Sequence, residues 1–283
     1  MNIETIGVVG AGTMGNGIAH VCAKSGFRVI LVDVEQRFLD RGLATIAKNM
    51  AREVDKSKLS PAARDAALGR IHGTLSRDEL AACQLVIEAA SERFEIKQPI
   101  LQQLDQLCPF DTILASNTSA ISITKLAAQT KRPDRVIGMH FFNPVPVLNV
   151  VEVIRGLATS DQTYVAVKAT AERLGKTAVE VNDAPGFVSN RILMPMINEA
   201  IYAVMEGVAA PQAVDEVFKL GMSHPMGPLT LADLIGLDVC LDILHVLHAE
   251  LGDSKYRPCP LLIKMVDAGW LGRKSGHGFY KYE

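Results

Sequence analysis

Cysteine is scarce and scattered along this chain of 283 residues. The five present, Cys22, Cys83, Cys108, Cys240 and Cys259, are odd in number and contain no Cys-x-x-Cys pair. A disulfide framework and a structural zinc site are therefore not expected, and no metal is assigned to the chain. Long apolar runs are also missing: no stretch is long and uninterrupted enough to span a bilayer, and Met1-Asn2-Ile3-Glu4 leads straight into a strand without a signal peptide. The expectation is a soluble, cytoplasmic protein with reduced thiols and no membrane partner. There is no long block of one charge sign, and the formal net charge is −2. That balance argues against a nucleic-acid partner and a polybasic membrane surface, so any anion has to be held locally. Internal repeats and low-complexity tracts are absent too.

What is present is concentrated first in residues 2 to 33. A β-branched run, Ile6-Gly7-Val8-Val9, leads into Gly10-Ala11-Gly12-Thr13-Met14-Gly15 and an apolar helical segment. A second apolar run, Val29-Ile30-Leu31-Val32, then stops at Asp33. Gly10 allows a tight turn, Gly12 lets bare backbone approach a pyrophosphate, and Gly15 lets the helix sit close to the strand. The helix N-terminus offers unpaired N–H groups to phosphate. Asp33 stands where an acid accepts ribose hydroxyls. A carboxylate there favours NAD, because it repels the extra phosphate of NADP and Val34-Glu35 directly after it supplies no cation. The competing reading is a glycine-rich turn followed by a solvated Asp.

The rest of the chain reads as two domains, 1–183 and 184–283, a division its length accommodates. The spacing predicts a helix from Gln36 to Asp55, a break at Lys58-Leu59-Ser60-Pro61 and a second short helix, a hairpin over about residues 36–71 inserted into the nucleotide fold. Parallel-sheet units then resume: strands at Leu85–Ala89 and Thr112–Ser116, helices at Glu92–Leu107 and near Ile123–Gln129. Two more strands, Val136–His140 and Val150–Ile154, flank the turn Asn143-Pro144-Val145-Pro146. A helix at Tyr164–Leu174 and a strand at Thr177–Val181 close the first domain. Beyond it, helical spacing at Phe187–Glu206, Pro211–Leu220, Leu237–Gly252 and Leu261–Ala268 predicts an all-α domain. The fold class is α/β: a Rossmann-type doubly wound sheet with an inserted helical hairpin, followed by helices.

One histidine is placed for chemistry. His140 lies at the C-terminal end of a predicted strand, where open α/β sheets hold ligands, and imidazole suits proton transfer near neutral pH. Glu152 interrupts the apolar run Val150-Val151-Glu152-Val153-Ile154, and a carboxylate there is costly to bury without a partner. Its strand returns after the turn that begins at His140, so an imidazole–carboxylate pair is geometrically reasonable. A structural strand-end histidine and an edge-strand glutamate in water are the plainer alternatives. Ser116-Asn117-Thr118-Ser119 brings amide and hydroxyl groups to the same sheet edge, where a turn and helix cap would use them equally well. Lys48, Arg52 and Lys56 recur every four residues on one helix face, as a phosphorylated carrier or ordinary solvation would each require.

With these segments together, the chain resembles the L-3-hydroxyacyl-CoA dehydrogenase family in its bacterial short form. The matching motifs are the Gly10–Gly15 turn, Ala115-Ser116-Asn117-Thr118-Ser119, Met139-His140-Phe141-Phe142-Asn143-Pro144, Val151-Glu152-Val153-Ile154, Pro185-Gly186-Phe187-Val188-Ser189-Asn190-Arg191 and Gly272-Arg273-Lys274-Ser275-Gly276. The resemblance implies NAD-dependent, reversible oxidation of an L-3-hydroxyacyl-CoA, such as 3-hydroxybutyryl-CoA, to the 3-oxoacyl-CoA. It implies His140 as catalytic base, Glu152 as its orienting carboxylate, and Ser119 and Asn190 as holders of the substrate's oxygens. Asn190 comes from the second domain, which implies a site in the cleft between domains. The NAD-binding set is then Gly10, Gly12, Thr13, Met14, Gly15, Asp33, Glu92, Lys97, Asn117 and Asn143, with Lys274 reaching in from the tail. The hairpin, with Lys48, Arg52 and Lys56, is implied to help hold coenzyme A. A homodimer through residues 184–283 is expected, because apolar helices such as Ile192–Met205 outnumber what so small a domain can bury, and relatives associate this way. The alternatives are a small hydroxy-acid dehydrogenase that does not use coenzyme A, against which Glu152 and the His140 segment argue, and a nucleotide-binding relative without turnover.

Overall fold

The computed structural model describes residues 2–282. Two compact units emerge, the first ending at Ala184 and the second starting at Pro185.

The β-branched run at the N-terminus forms β1 (Thr5–Val9), buried along its whole length. It pairs in parallel with β2 (Arg28–Val32) on one side and β4 (Leu85–Glu88) on the other. A strand wrapped on both faces has to be apolar throughout, which is why these runs are continuous rather than alternating. Helix α1 (Thr13–Lys24) crosses between β1 and β2. Nine of its residues, Gly15 to Ala23, are buried, because α2 (Gln36–Asp55) and α3 (Pro61–Leu68) cover its outer side. Ile46 and Met50 of α2 are fully buried. Ser60 caps α3 by accepting from Ala63 N, and Pro61 starts it.

A strand the pattern hid follows: β3 (Ile71–Thr74) pairs with β2, so residue 71 belongs to the sheet and the hairpin ends at Leu68. Then come β4, α4 (Phe94–Leu107), β5 (Ile113–Ser116), α5 (Ile123–Ala127) and β6 (Val136–Phe141). Next, β7 (Val150–Arg155) turns back antiparallel to β6, and α6 (Asp161–Arg173) leads to β8 (Thr177–Asn182), parallel to β7. Among the described residues, eight strands form one sheet in the order β3-β2-β1-β4-β5-β6-β7-β8. The reversal of strand order at β1 and β4 is the topological switch point at which such sheets bind ligands.

The second unit is helical: α7 (Ser189–Met205), α8 (Pro211–Glu216), α9 (Pro228–Ile235), α10 (Leu237–Leu251) and α11 (Pro260–Asp267). Helix α9 is not among the helices that the sequence spacing predicts. Its first N–H groups are taken by a buried carboxylate, Asp215, which accepts from Leu229 N at 2.8 Å and Thr230 N at 2.9 Å. The stretch expected to be helical through Leu220 leaves the α form after Glu216 for a π turn over Val217–Gly221. Asp233, also buried, ties down the C-terminal tail through Phe279 N, Tyr280 N and the Tyr282 hydroxyl. The core of this unit gathers Met194, Ile197, Leu229, Leu237, Leu244 and Leu262. Among the described residues no helix is long and apolar enough to cross a membrane, and no group of acidic, histidine and cysteine side chains is arranged to hold a metal ion.

Candidate active site

The glycine turn between β1 and α1 is built as tightly as its sequence suggests. Gly10 has φ of +98°, and a Cβ on Gly15 would sit 1.7 Å from the Gly10 carbonyl oxygen. A Cβ on Gly12 would meet nothing within 4 Å, so that backbone faces open space. The first turn of α1 has no side-chain cap, and its leading N–H groups can take an anion. Asp33, at the end of β2, is fixed by two backbone bonds: Oδ2 accepts from Ala11 N and Oδ1 from Val34 N, each at 2.7 Å. One lone pair on each oxygen is left for ribose hydroxyls. These groups line a cavity of about 920 Å³ together with Thr13, Arg41 and Asn143. Open glycine backbone, an uncapped helix start and a fixed carboxylate in one cavity of that size fit a dinucleotide. Met14 sits beside this turn, half-buried against the core of the unit. Asn143, which precedes the cis bond to Pro144, puts the turn after β6 on the cavity wall.

His140 and Glu152 face each other across β6 and β7, in direct register. His140 Nδ1 lies 2.7 Å from Glu152 Oε2, with both residues buried. Burial of the carboxylate inside an apolar strand is thus answered by a partner, as the chemistry of the pair demands. Phe142 leans against the imidazole, ring centres 4.7 Å apart. Asn117, just past β5, accepts from Phe141 N at 3.0 Å through its amide oxygen, tying the Ser116–Ser119 turn to the strand that carries His140.

Glu92 gathers that turn from the other side. Its Oε1 accepts from Ser119 N at 2.7 Å, from the Thr118 hydroxyl at 2.5 Å and from the Ser119 hydroxyl at 3.2 Å. Burial works against its charge, but the Lys97 ammonium, the Thr118 hydroxyl and Ser119 N outweigh it, holding the Glu92 carboxyl below the usual range. Lys97 itself is buried on α4. Its main partner is a residue that sequence reasoning passed over, Glu88 at the end of β4, fully buried and 2.9 Å from the ammonium. The signal was there, since Glu88 ends an apolar strand just as Glu152 interrupts one.

The remaining candidates stand elsewhere in the chain. Lys48 and Arg52 lie exposed on α2, with Lys56 exposed at its C-cap. In the second unit, Asn190 is buried in the first turn of α7, and Lys274 bonds to Asp238 at 2.5 Å.

The NAD binding domain model of 3-hydroxyacyl-CoA dehydrogenase matches residues 5–184, and the model of the C-terminal domain of the same enzymes matches residues 186–282. The chain belongs to the 3-hydroxyacyl-CoA dehydrogenase family. A probable 3-hydroxybutyryl-CoA dehydrogenase of Bacillus subtilis is 58% identical over 283 residues, covering 100% of this chain and 99% of that protein. The crystal structure of (S)-3-hydroxybutyryl-CoA dehydrogenase from Ralstonia eutropha matches with a TM-score of 0.97 at 54% identity, covering 100% of both chains. A family member with a different acyl group in its name, the 3-hydroxyadipyl-CoA dehydrogenase of Escherichia coli, is 41% identical over 100% of this chain and 60% of its own length.

Proposed function

We infer that the protein catalyses the reversible, NAD-dependent oxidation of an L-3-hydroxyacyl-CoA, such as 3-hydroxybutyryl-CoA, to the 3-oxoacyl-CoA, a step of fatty-acid β-oxidation. The observation that carries this reading is the buried His140–Glu152 pair at the end of β6, beside a strand-turn-helix cradle built for a dinucleotide. Glu152 keeps a proton on Nδ1, which leaves Nε2 as the basic nitrogen. Nε2 takes the proton of the substrate's 3-hydroxyl in oxidation and returns it in reduction, while Glu152 stabilises the imidazolium formed in between. Ser119 and Asn190 hold the substrate's oxygen atoms. The chemistry that NAD would supply when bound is that of a hydride acceptor for C3 of the substrate. The backbone of Gly10, Gly12, Thr13, Met14 and Gly15 would receive the pyrophosphate of NAD and Asp33 its adenine ribose, with Glu92, Lys97, Asn117, Asn143 and Lys274 completing the set. Lys48, Arg52 and Lys56 would meet the phosphates of coenzyme A.

The test is NADH consumption with acetoacetyl-CoA against free acetoacetate. Turnover of the thioester alone is expected; equal use of the free acid would replace this reading with a hydroxy-acid dehydrogenase. A panel of acyl chain lengths, with one dicarboxylic 3-hydroxyacyl-CoA, identifies the preferred acyl group. We further propose a cytoplasmic homodimer joined through residues 184–283. Exposed Ile192, Val208, Val217 and Leu220 in the second unit support the dimer, and five buried, unbridged cysteines are consistent with a reducing compartment. Light scattering at micromolar concentration checks the assembly; a fully active monomer overturns it.

A further inference from the structure

We propose that Glu88 is a positioning residue of this reaction: through Lys97 and Glu92 it sets where Ser119 stands. The proposal rests on the reading of Ser119 as a substrate contact. Glu88 closes β4 with its carboxylate fully buried. Oε1 accepts from Ala90 N at 2.7 Å and from Lys97 Nζ at 2.9 Å, while Oε2 accepts from Lys97 Nζ at 3.0 Å and from the Ser116 hydroxyl at 2.7 Å. Lys97 Nζ also donates to the Ala90 carbonyl at 3.2 Å and lies 3.3 Å from Glu92 Oε2. The other oxygen of Glu92, Oε1, accepts from Thr118 and Ser119. One continuous set of charge-assisted bonds therefore runs from the C-terminal ends of β4 and β5 to Ser119.

Two features separate this arrangement from a simple tie between β4 and α4. An ammonium has three donors, and here four acceptors surround it, so Lys97 is fully engaged within the protein and its part in the cofactor set, like its effect on the Ser119 turn, is exerted through Glu92. The set also holds two carboxylates to one ammonium. The Glu88–Lys97 pair alone would satisfy the core; the extra carboxylate is the one that reaches the Ser119 turn. The charge of Lys97 helps keep Glu92 ionised, the form that can accept from Thr118 and both groups of Ser119 at once. Buried pairs are weak sources of stability, so the role assigned to this one is geometric, and reactive groups shifted by about 1 Å can lose on the order of a hundredfold in rate.

The experiment uses the full-length protein and compares E88Q, K97M, the double variant E88Q/K97M, E92Q and H140A. Melting temperature and kcat with acetoacetyl-CoA at saturating NADH are measured for each. K97M strands the buried Glu88 carboxylate, and E88Q leaves the buried Lys97 ammonium with only the more exposed Glu92 as its anion, so both are expected to melt lower, K97M more so, and to lose roughly ten- to a hundredfold in kcat. The double variant removes both charges; its melting temperature is expected to recover while its kcat stays low. E92Q keeps the buried pair and should melt near wild type with the same kcat loss, so it decides the question if the single core variants do not fold. Wild-type kcat in either E92Q or a folded double variant overturns the proposal, as does a loss in E92Q confined to the KM for NADH. H140A separates this outcome from failure of the functional reading: an active H140A removes the reading, whereas an inactive H140A beside an active E92Q removes only the role of Glu88.

Discussion

His140 and Glu152 are opposite partners on antiparallel strands, and their side chains close to 2.7 Å. H140A is expected to lower kcat by about 10²–10⁴-fold, the usual value of a positioned acid–base group, with KM changed much less. E152Q retains the shape but loses the charge that orients and stabilises the ring, so it should lose a comparable factor and shift the pH–rate profile. Steady-state kinetics from pH 6 to 10 is the check. An E152Q enzyme with wild-type rate and profile would make Glu152 a packing residue.

The carboxylate of Asp33 is pinned by Ala11 N and Val34 N, which turns its remaining lone pairs toward the cavity. Charge-assisted bonds of ~1.5–3 kcal/mol to the ribose correspond to at least about tenfold preference for NADH over NADPH in kcat/KM, before repulsion of the extra phosphate is counted. Arg41 and Arg77 on the same cavity wall are the cations placed to offset that repulsion. Kinetics with both cofactors on acetoacetyl-CoA measures the ratio; equal efficiency would mean that Asp33 does not face the ribose.

For the exposed cations of α2, the expectation is a set of small, additive effects. Substituting Lys48, Arg52 and Lys56 by alanine should each raise KM for acetoacetyl-CoA about two- to fivefold, the range of exposed ion pairs, and the increase should shrink at high salt. A truncated pantetheine thioester should not notice the changes. If both thioesters respond alike, the helix face is solvated surface.

His20 supplies the pH prediction. It is fully buried on α1, with Nε2 3.1 Å from Glu53 Oε1 on α2. Burial pulls its pKa below the ordinary 6.5; Glu53 opposes that shift and Lys24 adds to it. With the folded pKa below the unfolded one, the unfolded chain binds more protons between the two values, so stability rises with pH there. The contribution is complete above about pH 6.5 and is lost as pH falls toward the folded pKa. Wild type should melt at progressively lower temperature from pH 7 to 5, and H20Q should show a flatter dependence. Parallel curves for the two proteins would count against the assignment.

Much of this arrangement was readable from local pattern. The Gly10–Gly15 turn and Asp33 announce themselves because each step of a strand-turn-helix-strand unit has its own residue requirement. Glu152 was conspicuous as a charge in an apolar run. Glu88 carried a weaker form of the same signal: it stands next to the end of the run Leu85–Ala89, where a carboxylate reads as solvated until α4 is seen to bring Lys97 over it. Strand β3 escaped for a related reason: Ile71-His72-Gly73-Thr74 lies at the sheet edge with a partner on one side only, β2, and needs little apolar surface. Helix α9 owes its start to Asp215, 14 residues before the Leu229 N–H that it caps. In each case the missing information was a contact distant in sequence, which periodicity cannot report.

The backward turn of β7 carries a consequence for how the acid–base pair behaves as the molecule moves. Both members belong to one hairpin and are only 12 positions apart, so the same β6–β7 pairing that forms the hairpin also sets the pair's spacing. Whatever displaces β6 takes β7 with it, so imidazole and carboxylate shift together and keep their spacing, and a disturbance elsewhere can alter only what the pair is aimed at.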